Sequence, residues 1–238
     1  MMILHTFGPA LGLPDPSPFV MKALVLLKMS KLPYDTAYVN FKKAPKGKGP
    51  YMRDGDEIIP DSTFIRFHLE DKHNIDFDPG LNDEQKAIAW AFEKLCEDHL
   101  YFAILHERWI DDDNFNRGPV EFFKRAPALI RPFIIRKVRS NMKNVILHGH
   151  GMGRHSPQEI TRLASRGIKS ISDFLGDKQY LFGDEPCGAD AMVFSSVAGL
   201  LCDRFVSQTR DNAEKFENLK AYRDRGMKRW FPEFADKT

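Results

Sequence analysis

Cysteine is scarce in this chain of 238 residues, and the three that occur, Cys96, Cys187 and Cys202, are far apart. So few scattered cysteines exclude a disulfide framework and a cysteine-based zinc site. No apolar run approaches the roughly 18 residues of a membrane-spanning helix. The opening segment, MMILHTFGPALGLPDPS, also lacks the basic start of a secretory signal. These absences predict a cytoplasmic protein with reduced thiols and no membrane span.

The chain also has no large excess of charge of one sign, because its 35 Lys and Arg residues and its 33 Asp and Glu residues give a net charge of +2. Proteins that bind nucleic acids usually carry a strongly basic surface, so we expect no nucleic-acid partner. Apolar residues make up 42% and charged residues 29% of the chain, which is ordinary for a globular protein. The length allows one large domain or two small ones.

Strand and helix patterns alternate near the start of the chain. Residues 2–7 form a short apolar run typical of a strand, and residues 34–41 are rich in aromatic and β-branched side chains. Between them, residues 19–29 are apolar almost all round, interrupted mainly by Lys22 and Lys28, which indicates a helix buried on most of its surface. This order predicts a βαβ unit whose strands are parallel.

A hairpin and a further helix follow this unit. The dipeptide Asp54-Gly55 lies between short strand patterns at 50–53 and 57–59, and Asp-Gly in that position is typical of a β-hairpin. Asp61-Ser62 then precedes a helical pattern in TFIRFHLED. The first part of the chain therefore predicts a small mixed sheet with helices on its faces.

From residue 82 onward the patterns are helical only. We predict helices over 82–109, 133–147, 156–175, 190–206 and 212–230. The start at Ser156 is the clearest, because Ser156 and Glu159 form a capping box with proline at the first helical position. The sequence thus predicts an α+β domain over residues 1–77 and an all-helical domain over residues 82–238.

Two segments place hydroxyl groups at helix starts. Ser17 followed by Pro18 is explained by helix capping alone, but a hydroxyl near the positive end of a helix dipole can also stabilise a thiolate. Asp61 and Ser62 can cap their helix, or they can offer N–H and hydroxyl donors to an anion. Pro50 fits a turn or an edge strand. The residues alone leave these alternatives open.

The candidate metal and redox motifs are incomplete. Ser17 and Val20 stand where a C-x-x-C motif would begin the first helix, so a thiol–disulfide exchange role is excluded. His148, His150 and His155 are separated by glycines and lack a partnering carboxylate, which is typical of a loop rather than of a metal centre. We predict no metal.

Motifs in both halves are similar to those of one known superfamily. In PYMRDGDEIIPDS, Pro50 precedes Asp61-Ser62 by the same spacing as in that superfamily, where Glu usually replaces Asp61. The run Cys187-Gly188-Ala189-Asp190 matches its Ser/Thr-x-Ala-Asp helix start, except that the capping hydroxyl is lost. The chain resembles the glutathione transferases. The segments SPFVMKALVLLKMSKLPY, HGMGRHSPQEI and LGDKQYLFGDEPCGADAMVF resemble their failed axon connections and metaxin branch.

The resemblance implies a thioredoxin-like α+β domain followed by an all-α helical bundle, with glutathione as co-substrate. It implies that Ser17 activates the glutathione thiol. It also implies that a cis Gly49-Pro50 bond exposes the backbone of Gly49 to the cysteinyl part of glutathione. Asp61 and Ser62 would bind the γ-glutamyl carboxylate.

Two functions are compatible with the resemblance. The first is conjugation of glutathione to a small apolar electrophile, with a pocket wall from Phe102, Leu105, His106 and Trp109 of the helical domain. The second is a non-catalytic interaction protein of the failed axon connections or metaxin type. Relatives are commonly dimeric, so a homodimer is expected in either case.

Overall fold

A computed structural model describes residues 1–124 and 126–237. Its first part contains a four-stranded sheet made of β1 (Met2–Thr6), β2 (Tyr34–Tyr38), β3 (Tyr51–Asp54) and β4 (Glu57–Pro60). The strands lie in the order β2-β1-β3-β4. β1 is parallel to β2 and antiparallel to β3, and β3 is antiparallel to β4. The predicted βαβ unit and hairpin are therefore confirmed.

Two helices accompany this sheet, α1 (Pro18–Ser30) and α2 (Ser62–His73). Residues 20–27 of α1 are all buried, as the nearly continuous apolar pattern predicts. Lys31 adopts a left-handed conformation with φ 57° and ends the helix. Burial on every side means that α1 must be covered by something besides the sheet.

The rest of the chain is helical. A continuous helical stretch consists of α3 (Asp83–Lys94), a π-helical segment (Leu95–Leu100) and α4 (Tyr101–Trp109). The remaining helices are α5 (Asp112–Arg117), α6 (Arg131–Asn141), which continues through a π-helical segment (Met142–Leu147) into α7 (His148–His150), α8 (Pro157–Leu175), α9 (Gly188–Leu200), α10 (Gln208–Ala213) and α11 (Glu217–Trp230). Short 3₁₀ segments occupy Pro119–Phe123, Met152–Arg154 and Pro232–Lys237.

Helix α9 is the centre of the helical part and covers α1. All 13 of its residues are buried, and it packs directly against α1. The carboxylate of Asp190 accepts hydrogen bonds from the backbone N–H groups of Leu181 and Cys187 and from the Tyr222 hydroxyl, at 3.1, 2.9 and 2.6 Å. These bonds fix the start of α9 without the capping hydroxyl that Cys187 lacks.

Buried charges also join the two parts. The Lys22 ammonium group on α1 has no exposed surface and lies 2.9 Å from Glu93 and 2.6 Å from Glu97, on the long helical stretch. Arg66 on α2 contacts the same Glu93 at 3.2 Å and Asp78 at 2.5 Å. Each of these cations is compensated, so burying it does not leave an isolated charge.

Two predicted helices differ from the expectation at one end. The helix predicted over 190–206 ends at Leu200. The Arg108 guanidinium donates to the carbonyl of Gly199 at 2.5 Å. In a longer helix this carbonyl would accept a backbone N–H instead. The helix predicted over 212–230 begins later, at Glu217 of α11, and the separate helix α10 precedes it and ends at Ala213. Ser207 caps α10 and accepts from Arg210 N. Tertiary contacts of this kind are not visible in local periodicity.

The hairpin loop is also shifted by one residue from the expected Asp54-Gly55. Asp54 pairs with Glu57, so the loop is Gly55-Asp56, and Gly55 has a positive φ of 62° that glycine adopts without strain. Within the described residues, no helix combines the length and hydropathy needed to cross a membrane.

Candidate functional site

Three chain segments meet at one edge of the sheet. His5 near the end of β1 pairs with Tyr51 at the start of β3, and Tyr51 pairs with Pro60 at the end of β4. The N–H of Asp61 donates to the carbonyl of Pro50 at 3.1 Å. The loop that leads from β1 to α1, the segment before β3 and the start of α2 therefore lie side by side.

Asp15 holds the loop between β1 and α1 in place. Its carboxylate is fully buried and accepts hydrogen bonds from the N–H groups of Phe7, Gly8 and Ser17 at 2.8, 3.0 and 2.9 Å. Burial raises the pKa of Asp15 to about 7, although the three N–H donors favour the ionised form. The sequence motifs did not identify Asp15, because an aspartate between two prolines has the appearance of an ordinary loop residue.

Ser17 lies at the start of α1. It is the N-cap, with Pro18 at the first helical position, and its Oγ accepts the N–H of Val20 at 3.4 Å. The capping interpretation is therefore confirmed. Because Oγ acts there only as an acceptor, its own O–H proton can be donated to a ligand beside the helix N-terminus.

The bond between Gly49 and Pro50 is cis. Gly49 leaves no room for a side chain, because a Cβ atom there would lie 2.8 Å from Cγ2 of Val39 and 3.4 Å from Cζ of Phe7. Backbone rather than side chain is therefore what Gly49 presents at this edge of the sheet.

Asp61 caps α2 in an unusual backbone conformation, with a φ of 72°. Non-glycine residues rarely adopt such values, and they concentrate at functional sites. Its carboxylate accepts the N–H of Thr63 at 3.1 Å and lies 3.1 Å from the Lys48 ammonium group. Burial acts to raise the pKa of Asp61, but the Thr63 N–H and the nearby lysines outweigh it, so the pKa lies below its ordinary value. The carboxylate is ionised at neutral pH.

Ser62 is the first residue of α2, with only 1% of its surface exposed. Among the described residues its Oγ has no hydrogen-bond partner. A buried hydroxyl without a partner costs free energy, so its presence requires an explanation. At a helix N-terminus the matching ligand is an anion, because the free N–H groups and the helix dipole both favour negative charge.

Two of the residues expected to form a pocket wall, Phe102 and Trp109, pack on aromatic rings of the helical part. The Phe102 ring stacks on His150 with 3.6 Å between ring centroids, and Trp109 packs against Phe115 and Phe123. Both side chains thus have partners inside the helical part. Tyr101 instead packs on Phe19 at 4.7 Å.

The loop before α1 has its own contacts to the helical part. The Cys202 thiol donates to the Leu11 carbonyl at 3.3 Å. The Arg108 guanidinium lies over the Phe205 ring, 4.2 Å from its centroid. A Cβ on Gly118 would lie 3.5 Å from Leu11 and inside contact distance of Phe205. Cys202 and Gly118 of the helical part therefore lie against Leu11 of this loop.

The fold and the sheet edge together define a class of protein. An α+β thioredoxin-like domain, with a cis proline before β3 and a buried serine hydroxyl at the start of α2, is followed by an all-helical domain. Two family models match the chain: the glutathione S-transferase N-terminal domain over residues 18–114 and the glutathione S-transferase C-terminal domain over residues 164–226. The chain belongs to the glutathione S-transferase family. Because the first match extends into α5, the boundary between residues 77 and 82 stays a prediction.

Curated relatives come from two branches of this family. The chain is 31% identical over 206 residues to the isoprene-epoxide–glutathione S-transferase of Rhodococcus sp. (strain AD45), which covers 83% of this chain and 85% of the relative. It is 29% identical over 250 residues to Failed axon connections of Drosophila melanogaster and 28% identical over 205 residues to Metaxin-1 of Mus musculus. These alignments cover 99% and 82% of this chain but only 59% and 64% of the relatives. The resemblance inferred from the motifs is confirmed.

Solved structures share the same fold. The β-etherase LigF from Sphingobium sp. strain SYK-6 is similar with a TM-score of 0.64 and 19% sequence identity, over 100% of this chain and 99% of that one. At this identity the similarity establishes the architecture of both domains and nothing further.

Asp15 predicts a specific pH dependence of stability. Its pKa is about 7 in the folded protein against an ordinary value of 3.8, so the folded state binds the proton more tightly. The cost of ionising Asp15 is absent below pH 4 and complete above pH 7. We therefore expect the free energy of unfolding of the wild type, relative to an Asp15→Ala variant, to fall by about 2.7 kcal/mol from pH 5 to pH 8.

Urea unfolding followed by circular dichroism at the two pH values measures this difference. An Asp224→Ala variant, whose side chain is exposed, is the control and should show no such change relative to the wild type. If the difference in free energy of unfolding between the wild type and Asp15→Ala stayed constant or grew from pH 5 to pH 8, Asp15 would not titrate in this range.

Proposed function

We propose that this protein binds glutathione at the sheet edge formed by Ser17, Gly49, Pro50, Asp61 and Ser62, and adds its thiolate to a small apolar electrophile. The observation that carries the proposal is the buried Ser62 hydroxyl, which lacks a hydrogen-bond partner among the described residues at the start of α2. A relative at 31% identity is named as a transferase of glutathione to isoprene epoxide, so an epoxide is the first electrophile to test.

The groups at the edge match the two ends of the γ-glutamyl unit of glutathione. A carboxylate would accept from the Ser62 hydroxyl and from the free N–H groups of α2. The ionised Asp61 carboxylate is complementary to the γ-glutamyl ammonium group, and it already attracts the Lys48 ammonium group. The backbone of Gly49 is the group available to the cysteinyl unit.

Ser17 would act on the sulfur. A hydroxyl that donates to the thiolate at the positive end of α1 stabilises the charged form and lowers the pKa of the thiol from about 8.5. The thiolate then attacks a carbon of the epoxide, a C–S bond forms, the C–O bond breaks, and the resulting alkoxide takes a proton from water. Asp15 is a positioning residue here, because it holds the N–H of Ser17.

A second candidate function is a non-catalytic protein of the failed axon connections or metaxin type. Its support is the alignment with Failed axon connections over 99% of this chain. Both candidates keep the fold, and they differ in whether the bound thiol reacts. The three cysteines are all unpaired, which supports our proposal of a reducing, cytoplasmic location for either.

Glutathione binding should depend on Ser62. We expect isothermal titration calorimetry to show one glutathione site per chain. Ser62→Ala should weaken the affinity about tenfold, which corresponds to about 1.4 kcal/mol for a lost hydrogen bond to a charged group. Ser170→Ala, an exposed serine on α8, is the matched control. Equal affinity in the wild type and Ser62→Ala would remove Ser62 from the binding site.

Reactivity should depend on Ser17. In Ser17→Ala we expect the pKa of the bound glutathione thiol to rise and conjugation of an epoxide to fall about tenfold or more, with little change in glutathione affinity. The thiolate absorbance in the ultraviolet reports the pKa directly. Ser30→Ala, at the opposite end of α1, should behave as the wild type. Glutathione binding by the wild type without any turnover would favour the non-catalytic function.

We also infer a homodimer through an aromatic surface on α2 and α3, formed by Phe64, Phe67 and Trp90. These side chains are 49%, 37% and 44% exposed, and the rings of Phe67 and Trp90 stack with 6.3 Å between centroids. A contiguous exposed apolar surface of this kind is typical of an interaction site.

Light scattering after size exclusion tests the dimer. The wild type should have twice the mass of one chain, and a Phe67→Ala/Trp90→Ala variant should have the mass of one chain. Phe133→Ala removes an aromatic side chain that is 73% exposed on α6 and should leave the dimer intact. A dimer that persists in the double variant places the interface elsewhere.

A further inference from the structure

A second cluster of chemically active side chains lies at the far end of α2, away from the glutathione site. It consists of Asp54 at the end of β3 and His68 and His73 on α2. His73 follows Ser62 by eleven residues along the helix, so the two are separated by about 17 Å. The cluster therefore belongs to no part of the site described above.

The three side chains converge on one point. Nε2 of His68 and Nε2 of His73 each lie 3.0 Å from the same carboxylate oxygen, Oδ2 of Asp54. One ligand atom from each residue lies within 4.8 Å of the others. In a tetrahedral zinc site with bonds of about 2.0 Å, neighbouring ligand atoms are about 3.3 Å apart. The two nitrogen–oxygen separations of 3.0 Å are close to that value.

The surroundings also resemble those of a metal centre. Nδ1 of His68 faces Oε2 of Glu57 at 3.6 Å, and a carboxylate behind a metal-binding histidine commonly fixes its orientation.

The supporting elements are rigid and the cluster can be reached from solvent. Asp54 ends a paired strand, and His68 lies in the middle of a helix that packs on the sheet. The histidine side chains are 11% and 24% exposed, which leaves an approach for an ion. The Lys72 ammonium group would compete with a metal ion for Asp54, because it lies 3.2 Å from Oδ2 of Asp54. It lies equally close to Oε2 of Glu57.

We propose that Asp54, His68 and His73 bind a divalent transition-metal ion, with Zn²⁺ as the ion that best suits two imidazoles and one carboxylate. Water would fill the remaining position. Lys72 then pairs with Glu57 alone. The site differs from the glycine-separated histidines at 148–155. The sequence shows no motif for it, because only the hairpin and α2 bring the three ligands together. Bound zinc would tie the end of the β3-β4 hairpin to the end of α2.

Calorimetric titration of tag-free protein with ZnCl₂ tests the proposal. We expect one zinc ion per chain and a rise in the thermal unfolding midpoint, since a ligand that binds the folded state stabilises it. Substituting Co²⁺ should give the visible absorption of a low-coordinate cobalt site. His68→Ala and His73→Ala should each weaken zinc binding more than about tenfold.

His148→Ala is the matched control and should bind zinc as the wild type does. Circular dichroism confirms that each variant is folded, and His73→Gln is the conservative variant if His73→Ala does not fold. Failure of the wild type to bind zinc overturns the proposal. So does unchanged zinc affinity in a folded His68→Ala/His73→Ala variant.

Discussion

The architecture depends on a few charges buried where the two domains meet. Lys22 of α1 has no contact with solvent, and its ammonium group is balanced by Glu93 and Glu97 of the long helical stretch. Taking such charges out of water is costly, and removing one partner from a buried pair typically destabilises a protein by about 3–5 kcal/mol. These buried charges are therefore paired in one relative position of the two domains, and any other position would leave a charge buried without a partner.

The same cluster sets the position of α2. Arg66 joins Glu93 of the second domain to Asp78 of the connecting segment, and Asp78 in turn accepts the N–H of Gly188 at 2.9 Å. A Cβ at Gly188 would lie 2.6 Å from the Arg66 guanidinium carbon, so the close approach of α9 requires glycine. Since α1 and α2 are both held against the helical domain, the hydroxyl groups of Ser17 and Ser62 at their first turns have fixed positions.

Much of this could be predicted from local sequence. The apolar pattern of residues 19–29 predicts a helix buried on most of its surface, and the capping box at Ser156 predicts a helix to Leu175, both as observed. The spacing of Pro50 and Asp61 leads to the correct family. Local signals of this kind are strong because capping, proline geometry and amphipathic periodicity act over a few residues.

Contacts between distant residues could not be predicted in this way. Asp15 is important because it binds the N–H groups of Phe7 and Gly8, which directly follow β1 and lie eight and seven residues before it. In the sequence, Lys22 is only an interruption of an apolar pattern. Its role becomes clear in the fold, where Glu93, 71 residues later, lies beside it. The spacing of Asp54, His68 and His73 along the chain matches no known motif, because only the folding of the hairpin against α2 brings them together. Such groups depend on tertiary packing, which a single sequence does not display.

A crystal structure of the protein grown with glutathione tests the central claim most directly. We expect the γ-glutamyl carboxylate within about 3 Å of the Ser62 hydroxyl, the cysteinyl backbone beside Gly49 and the sulfur next to Ser17. Glutathione bound at another surface, with the Ser62 hydroxyl still unpartnered, would contradict the assignment of the sheet edge as the glutathione site.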